Sequence, residues 1–190
     1  MMYDPTSLPD DLPRPQDDGM ASHLPGTTMP DIRLCATDGT EMSLSRLPGR
    51  TVVYAYPRTG LPGHEPPPEW DMIPGARGCT PQSCSFRDHF AELKSLGADH
   101  VFGFSTQDTA YQKEMADRLH LPFPVLSDGG LALTESLRLP TFEYDGETLT
   151  RRLTLVIDDG RITHVFYPVF PPNRSAEEVV DWLRENPRKP

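Results

Sequence analysis

Cysteine is scarce in this chain: its 190 residues hold three, Cys35, Cys79 and Cys84. An odd, sparse set makes a poor disulfide framework, which weighs against a small cross-linked scaffold. Cations are also few, 18 Lys and Arg against 28 Asp and Glu. They form scattered pairs such as Arg151-Arg152 and no basic run. Phosphate binding needs clustered cations, so nucleic acid and anionic membrane surfaces are poor candidates for the main partner. No apolar stretch approaches the roughly 20 residues of a membrane span. No charged start followed by an apolar block opens the chain, so no secretory signal is expected and a cytoplasmic setting is. In such a reducing compartment, two cysteines five apart point to catalysis or metal binding before a structural staple.

What is present suffices for one domain with its own core and some length to spare. Residues 1–28, rich in Pro and Asp, bury too little apolar surface to offset chain entropy and are expected as a poorly ordered arm, with Met20 and Leu24 as docking points. The domain proper is expected over 29–187. Ile32, Leu34 and Ala36 alternate with polar residues as a strand does, and Asp38-Gly39 marks a turn. Thr51 to Tyr56 reads as a central strand buried on both faces. Residues 57–78 carry six prolines and four glycines, so a single long loop is expected, and loops of that length are usually functional.

After Cys79, Thr80 is the expected N-cap of a helix with Pro81 at its first position. Phe86, Phe90, Leu93 and Leu96 supply its apolar stripe up to Gly97. Further strands are expected at His100–Phe104 and Phe123–Leu126, and helices at Asp108–Leu119 and Leu131–Leu139. A hairpin of 149–157 with 162–166 follows, closed by Asp158-Asp159-Gly160. A last helix is expected from a capping box of Ser175 and Glu178. This order predicts an α/β fold: a mixed sheet with helices on both faces.

Chemistry concentrates at Cys79. Orphan amide N–H groups and the positive end of a helix dipole favour an anion at a helix start, and hence the nucleophilic thiolate. Cys35 reads as a small buried apolar residue.

The segment Gly78-Cys79-Thr80-Pro81-Gln82-Ser83-Cys84-Ser85-Phe86-Arg87-Asp88 resembles the active-site motif of the peroxiredoxin Q, or bacterioferritin comigratory protein, subfamily, Gly-Cys-Thr-x-Glu-x-Cys-x-Phe-Arg-Asp. Val53-Tyr54-Ala55-Tyr56-Pro57 is similar to the strand ending in that family's active-site proline. Phe123-Pro124-Val125-Leu126-Ser127-Asp128 and Arg152 to Asp158 with Gly160 match further elements in the same order. The likeness covers roughly residues 28–185.

The resemblance implies a thioredoxin-like fold and a thiol peroxidase acting on hydrogen peroxide and organic hydroperoxides. Cys79 would be the peroxidatic cysteine and Cys84 the resolving one. Arg152 would be the cation that holds the sulfur and polarises the peroxide, with Arg151 as its rival. Pro57, Thr59, Gly78 and Thr80 would shape the substrate pocket. It further implies a thioredoxin-type dithiol as reductant, no metal or organic cofactor, and a monomer or homodimer. Residues five apart in a helix have Cα atoms roughly 8 to 9 Å apart. Disulfide closure needs less than about 7 Å, so the implied Cys79–Cys84 bond requires the first helical turns to unwind.

The chain departs from the family pattern Pro-x-x-x-Thr-x-x-Cys. Pro57 lies 22 positions before Cys79, and Ala76 stands where the Thr is expected. Thr59 folding back, Thr80, and backbone amides are the three candidate replacements for that hydroxyl. The insert's His64, Glu65, Glu69, Trp70 and Asp71 either shape access to the site or pack over it. A second alignment, through Pro74-Gly75-Ala76 and Thr80-Pro81, would make Cys84 peroxidatic. Three other functions compete: a disulfide reductase or electron carrier, which usually needs Cys-x-x-Cys; a metal module through Cys79, Cys84 and His89; and a redox-inactive binding domain.

Overall fold

A computed structural model describes residues 4–188. Its centre is β3 (Arg50–Ala55), buried along its whole length. This strand pairs in parallel with β4 (His100–Ser105) and antiparallel with β8 (Leu153–Asp158). Outward from β4 lie β5 (Val125–Ser127), β1 (Leu34–Ala36) and β2 (Glu41–Met42); outward from β8 lies β9 (Arg161–Phe166).

Strand alternation sorts β3 into two cores. Val53 and Ala55 face a cluster with Phe104, Leu126 and Leu155, covered by Leu133 and Leu137 of α5 (Ala132–Leu137). Val52, Tyr54 and Tyr56 face the other cluster. That second face is covered by α2 (Cys79–Asp88), α3 (Phe90–Ser95), α4 (Thr109–Arg118) and α6 (Ser175–Glu185). The result is the expected thioredoxin-like layering, a mixed sheet with helices on both faces.

Several local expectations are corrected. Residues 57–78 are not loop throughout: Pro68 enters the first turn of a short helix, α1 (Pro68–Asp71), whose Trp70 is buried. Proline is harmless there because a first-turn N–H has no intrahelical partner. The stripe from Phe86 to Leu96 is divided between α2 and α3 by a break at His89, whose Nδ1 lies 2.9 Å from the Ser85 carbonyl. Leu149 and Thr150 belong to a separate hairpin of β6 (Thr141–Tyr144) and β7 (Glu147–Thr150). Its Asp145-Gly146 turn, both residues at positive φ, is a strong hairpin signal in the sequence. Ser175 is no capping-box N-cap: it is the first residue of α6, and its Oγ accepts from Gln82 Nε2 at 3.2 Å. Cys35 is exposed rather than buried, since β1 turns it to solvent between buried Leu34 and Ala36.

The described part of the N-terminal arm, residues 4–28, lies against the body. Leu24 and Ala21 enter the core beneath α5, and Leu24 is fully buried. Gly26 N–H donates to Ile162 O at 2.7 Å and Met29 N–H to Gly160 O at 2.8 Å, so the arm leads into the domain along β9. Met20 remains largely exposed.

One buried ion pair ties the sheet to the chain end. Arg50 donates to both carboxylate oxygens of Asp158, at 2.7 and 2.9 Å, and to Asn186 O at 2.8 Å, and it stacks on Trp182. Burial alone would raise the Asp158 carboxyl, but the hydrogen bonds and charge of Arg50, with Thr163, hold it below the ordinary range. A lowered carboxyl contributes stability above its unfolded value, which is lost as pH falls through the folded one. Arg50→Ala should therefore cost about 3 kcal/mol in urea unfolding at neutral pH, with the difference from wild type shrinking below about pH 4.

Candidate active site

Cys79 is placed by the start of α2. Gly78 precedes it at φ 109°, a left-handed conformation that glycine adopts without strain. Gly78 itself is the N-cap residue, so Thr80 lies inside the first turn instead of capping it, and Pro81 follows where its missing N–H is not needed. The helix is registered on the sheet by Tyr54. Its ring stacks on Phe86 at 4.3 Å, and its Oη donates to Ser83 Oγ at 3.0 Å.

Arg152 reaches this helix start from the link between β7 and β8. It is 3% exposed. Its Nη2 lies 3.4 Å from Cys79 Sγ and within 3.1 to 3.2 Å of the carbonyl oxygens of Gly75, Ala76 and Arg77. Its Nη1 donates to Gln82 Oε1, whose amide nitrogen is tied to Ser175. The Cys79 thiol is in turn 3.7 Å from the Ala76 carbonyl. Arg151 points elsewhere, over the Phe142 ring at 5.5 Å. The structure thus brings Cys79 and Arg152 together and leaves Arg151 out.

Cys79 opens into a cleft of about 50 Å³ also lined by Thr59, Gly78, Thr80, His64 and Trp70. Thr59, far from Cys79 in sequence, returns to it because Gln107 clamps the chain there. Gln107 Oε1 accepts from Thr59 N at 3.0 Å, and its Nε2 donates to Thr59 O at 3.1 Å. Both candidate residues, Thr59 and Thr80, therefore line the cleft. Pro57 is buried and is not among the lining residues. Ala76 contributes its carbonyl and a fully buried methyl.

The insert both packs and shapes access. Trp70 is buried against Tyr144 and Phe142, with Arg58 over its ring at 5.1 Å. Asp71 pairs with Arg77 at 3.0 Å. His64 and Trp70 also border a wider groove of about 350 Å³ next to the Cys79 cleft. Glu65 lines that groove, whereas Glu69 is exposed. Sequence reasoning missed Gln82 and Gln107; the burial of Gln82 and the contacts of both, which single them out, come from the fold.

Cys84 lies in the same helix but faces the second core cluster, half-buried. Burial pushes its thiol up, opposed by Arg87 and Arg118. Cys79 and Cys84 are free thiols here. His89 is turned to the Ser85 carbonyl, and among the described residues no group of three His, Cys, Asp or Glu is placed to hold a metal ion.

The Redoxin family model matches residues 24–181. The chain is 33% identical over 161 residues to a chloroplastic peroxiredoxin Q of Oryza sativa subsp. japonica, an alignment covering 84% of this chain and 66% of that one. It is 32% identical over 169 residues to the peroxiredoxin Bcp of Escherichia coli, covering 85% and 96%. Among solved structures it resembles the peroxidoxin BcpB of Mycobacterium tuberculosis, with a TM-score of 0.69, 27% identity and coverage of 88% and 100%.

Gly78 offers a test of how the site is built. A Cβ there would lie 2.2 Å from Pro172 Cγ and 3.2 Å from Leu8 Cδ2, in addition to the strain of its φ. Gly78→Ala should lose about 2 kcal/mol or more. It should also slow iodoacetamide alkylation of Cys79, because the sulfur moves relative to Arg152. Exposed Cys35 should react at its wild-type rate in the same sample and so serve as the internal control.

Proposed function

The chain belongs to the Redoxin family and, within it, to the peroxiredoxin Q and Bcp proteins, and on that premise we propose that it is a thiol-dependent peroxidase with Cys79 as the peroxidatic residue. One observation carries the assignment: the Arg152 guanidinium, buried and 3.4 Å from Cys79 Sγ, with no counterpart carboxylate among its partners. A cation fixed by neutral carbonyls keeps its charge available to the sulfur and to the leaving oxygen of the peroxide. The arginines beside Cys84, Arg87 and Arg118, are each paired with a carboxylate, Asp88 and Glu114, and burial still pushes its thiol up, which speaks for the resolving role and against the alignment that would make it peroxidatic.

The cycle runs in three steps. The Cys79 thiolate attacks a peroxide oxygen; an S–O bond forms, the O–O bond breaks, and the alcohol or water leaves after taking up a proton. Cys84 sulfur then attacks the Cys79 sulfenic acid, an S–S bond forms and water departs. Finally an external dithiol of the thioredoxin type reduces the disulfide by exchange. The second step needs α2 to unwind at its start, since both cysteines lie on that helix. Thr59 and Thr80, which line the cleft, or backbone amides there would take the place of the hydroxyl absent at Ala76. The protein would work as a monomer or homodimer, and the sparse thiols fit a reducing, cytoplasmic setting.

Reduced protein mixed with one equivalent of hydrogen peroxide should form a Cys79–Cys84 disulfide, read by peptide mass mapping. Cys79→Ser should abolish turnover, and full turnover by that variant would overturn the proposal. Cys84→Ser should still consume one equivalent of peroxide but stop recycling by thioredoxin. Arg152→Lys keeps a charge but loses the fork that spans three carbonyls, Gln82 and the sulfur. It should lower the second-order rate with peroxide about 100-fold in stopped-flow measurements.

A further inference from the structure

A second cavity, of about 370 Å³, is walled in part by Arg152 and shares no lining residue with the Cys79 cleft, although Arg152 itself contacts the Cys79 sulfur. Among the described residues its charged lining is Arg14, Arg151 and Arg152, and no carboxylate lines it. That is an unusual concentration of cations for a chain of net charge −10. Two of the three guanidinium groups are fixed by their faces: Arg14 stacks on Phe170 at 5.2 Å and Arg151 on Phe142 at 5.5 Å. Face stacking leaves in-plane N–H groups for an acceptor.

Those donors are under-used. Arg151 Nε and Arg152 Nε are buried and have no hydrogen-bond partner among the described residues. The nearest acid, Asp18, comes only to 3.9 Å from Arg151 Nε and accepts instead from Tyr167 Oη at 2.9 Å. Buried donors without acceptors are costly and rare in folded proteins, and they mark a place where an acceptor belongs. The remaining wall is largely apolar, with Phe142 and Val169 among it. The volume falls in the range of small-molecule sites.

We infer that this cavity is a binding site for a small organic carboxylate, the carboxylate held by the arginines and its apolar body lying against Phe142 and Val169. A planar carboxylate matches the arginine fork, and the N-terminal arm becomes part of the site because it supplies Arg14. Arg152 borders the cavity and contacts the Cys79 sulfur, so an anion beside it draws on the charge that otherwise serves that sulfur. Occupancy therefore slows the reactions of that thiol.

Calorimetric titration of the reduced full-length protein with hexanoate tests the site, with inorganic phosphate and 1-hexanol as comparators at constant ionic strength. Saturable binding of hexanoate, weaker binding of phosphate and none of hexanol are expected. Arg14→Gln, at an exposed position, and Arg151→Gln should each weaken hexanoate binding about tenfold, and Asp18→Asn should tighten it. Absence of saturable binding, or binding unaltered by both arginine variants, would overturn the site. Phosphate binding as tightly as hexanoate would overturn the carboxylate class. At saturation, alkylation of Cys79 should slow several-fold, whatever the protein's activity toward peroxides; an unchanged rate would overturn the link through Arg152.

Discussion

The burial of a single guanidinium organises the site. Arg152 is nearly inaccessible to water and brings a full positive charge into the protein. Such a charge is tolerated only where acceptors surround it. The chain meets that demand by curling residues 75–77 so that three successive carbonyl oxygens converge on Nη2, and by turning Gln82 from the facing helix onto Nη1. Those same residues set where α2 begins and therefore where the Cys79 sulfur lies. Because the acceptors are carbonyl and amide oxygens, the site keeps a net positive charge, and the sulfur is the one contact able to neutralise it.

That arrangement explains how a long insert is compatible with a compact reactive centre. The two ends of the insert are held independently, Thr59 by Gln107 and residues 75–77 by Arg152. Between those anchors, added length costs little, because loop-closure entropy grows only logarithmically with length. The middle then gains burial of its own: α1 presents Trp70 to the β6–β7 hairpin, and Arg58, stacked on both Trp70 and Tyr144, closes the contact. A segment with six prolines thus acquires a fixed shape from tertiary contacts that its own backbone propensity does not provide.

The helix bearing both cysteines serves two opposed requirements. Folded, it holds Cys79 against Arg152 and Cys84 in the second core cluster, and its register is fixed by the Tyr54–Phe86 stack. Bond formation between the two sulfurs needs its first turns undone. The start of α2 suits that change: it opens on a glycine at positive φ, carries Pro81 in its first turn, and has no side-chain cap to lose. The Tyr54–Phe86 and Ser83 contacts lie further along the helix and anchor its remainder to the sheet.

Much of this was legible in the sequence, and the division has a physical basis. Period-2 alternation and β-branched runs marked the central strands, and the Cys79 to Asp88 string marked the reactive helix, because both signals are local in the chain. The Asp145-Gly146 turn is an equally local signal, but sequence reasoning missed it and ran Leu149 and Thr150 into the following strand. The burial of Arg152 in preference to Arg151, the return of Thr59 to the Cys79 cleft and the seating of the arm under α5 carried no local signature. Each rests on contacts between residues tens of positions apart, such as the 73 residues separating Arg152 from Cys79. The sequence by itself determined which groups can do the chemistry and which segments carry them. Only the tertiary structure decided which arginine meets the sulfur and which threonines line its cleft, because a buried charge selects its partners by position in space and not by spacing along the chain.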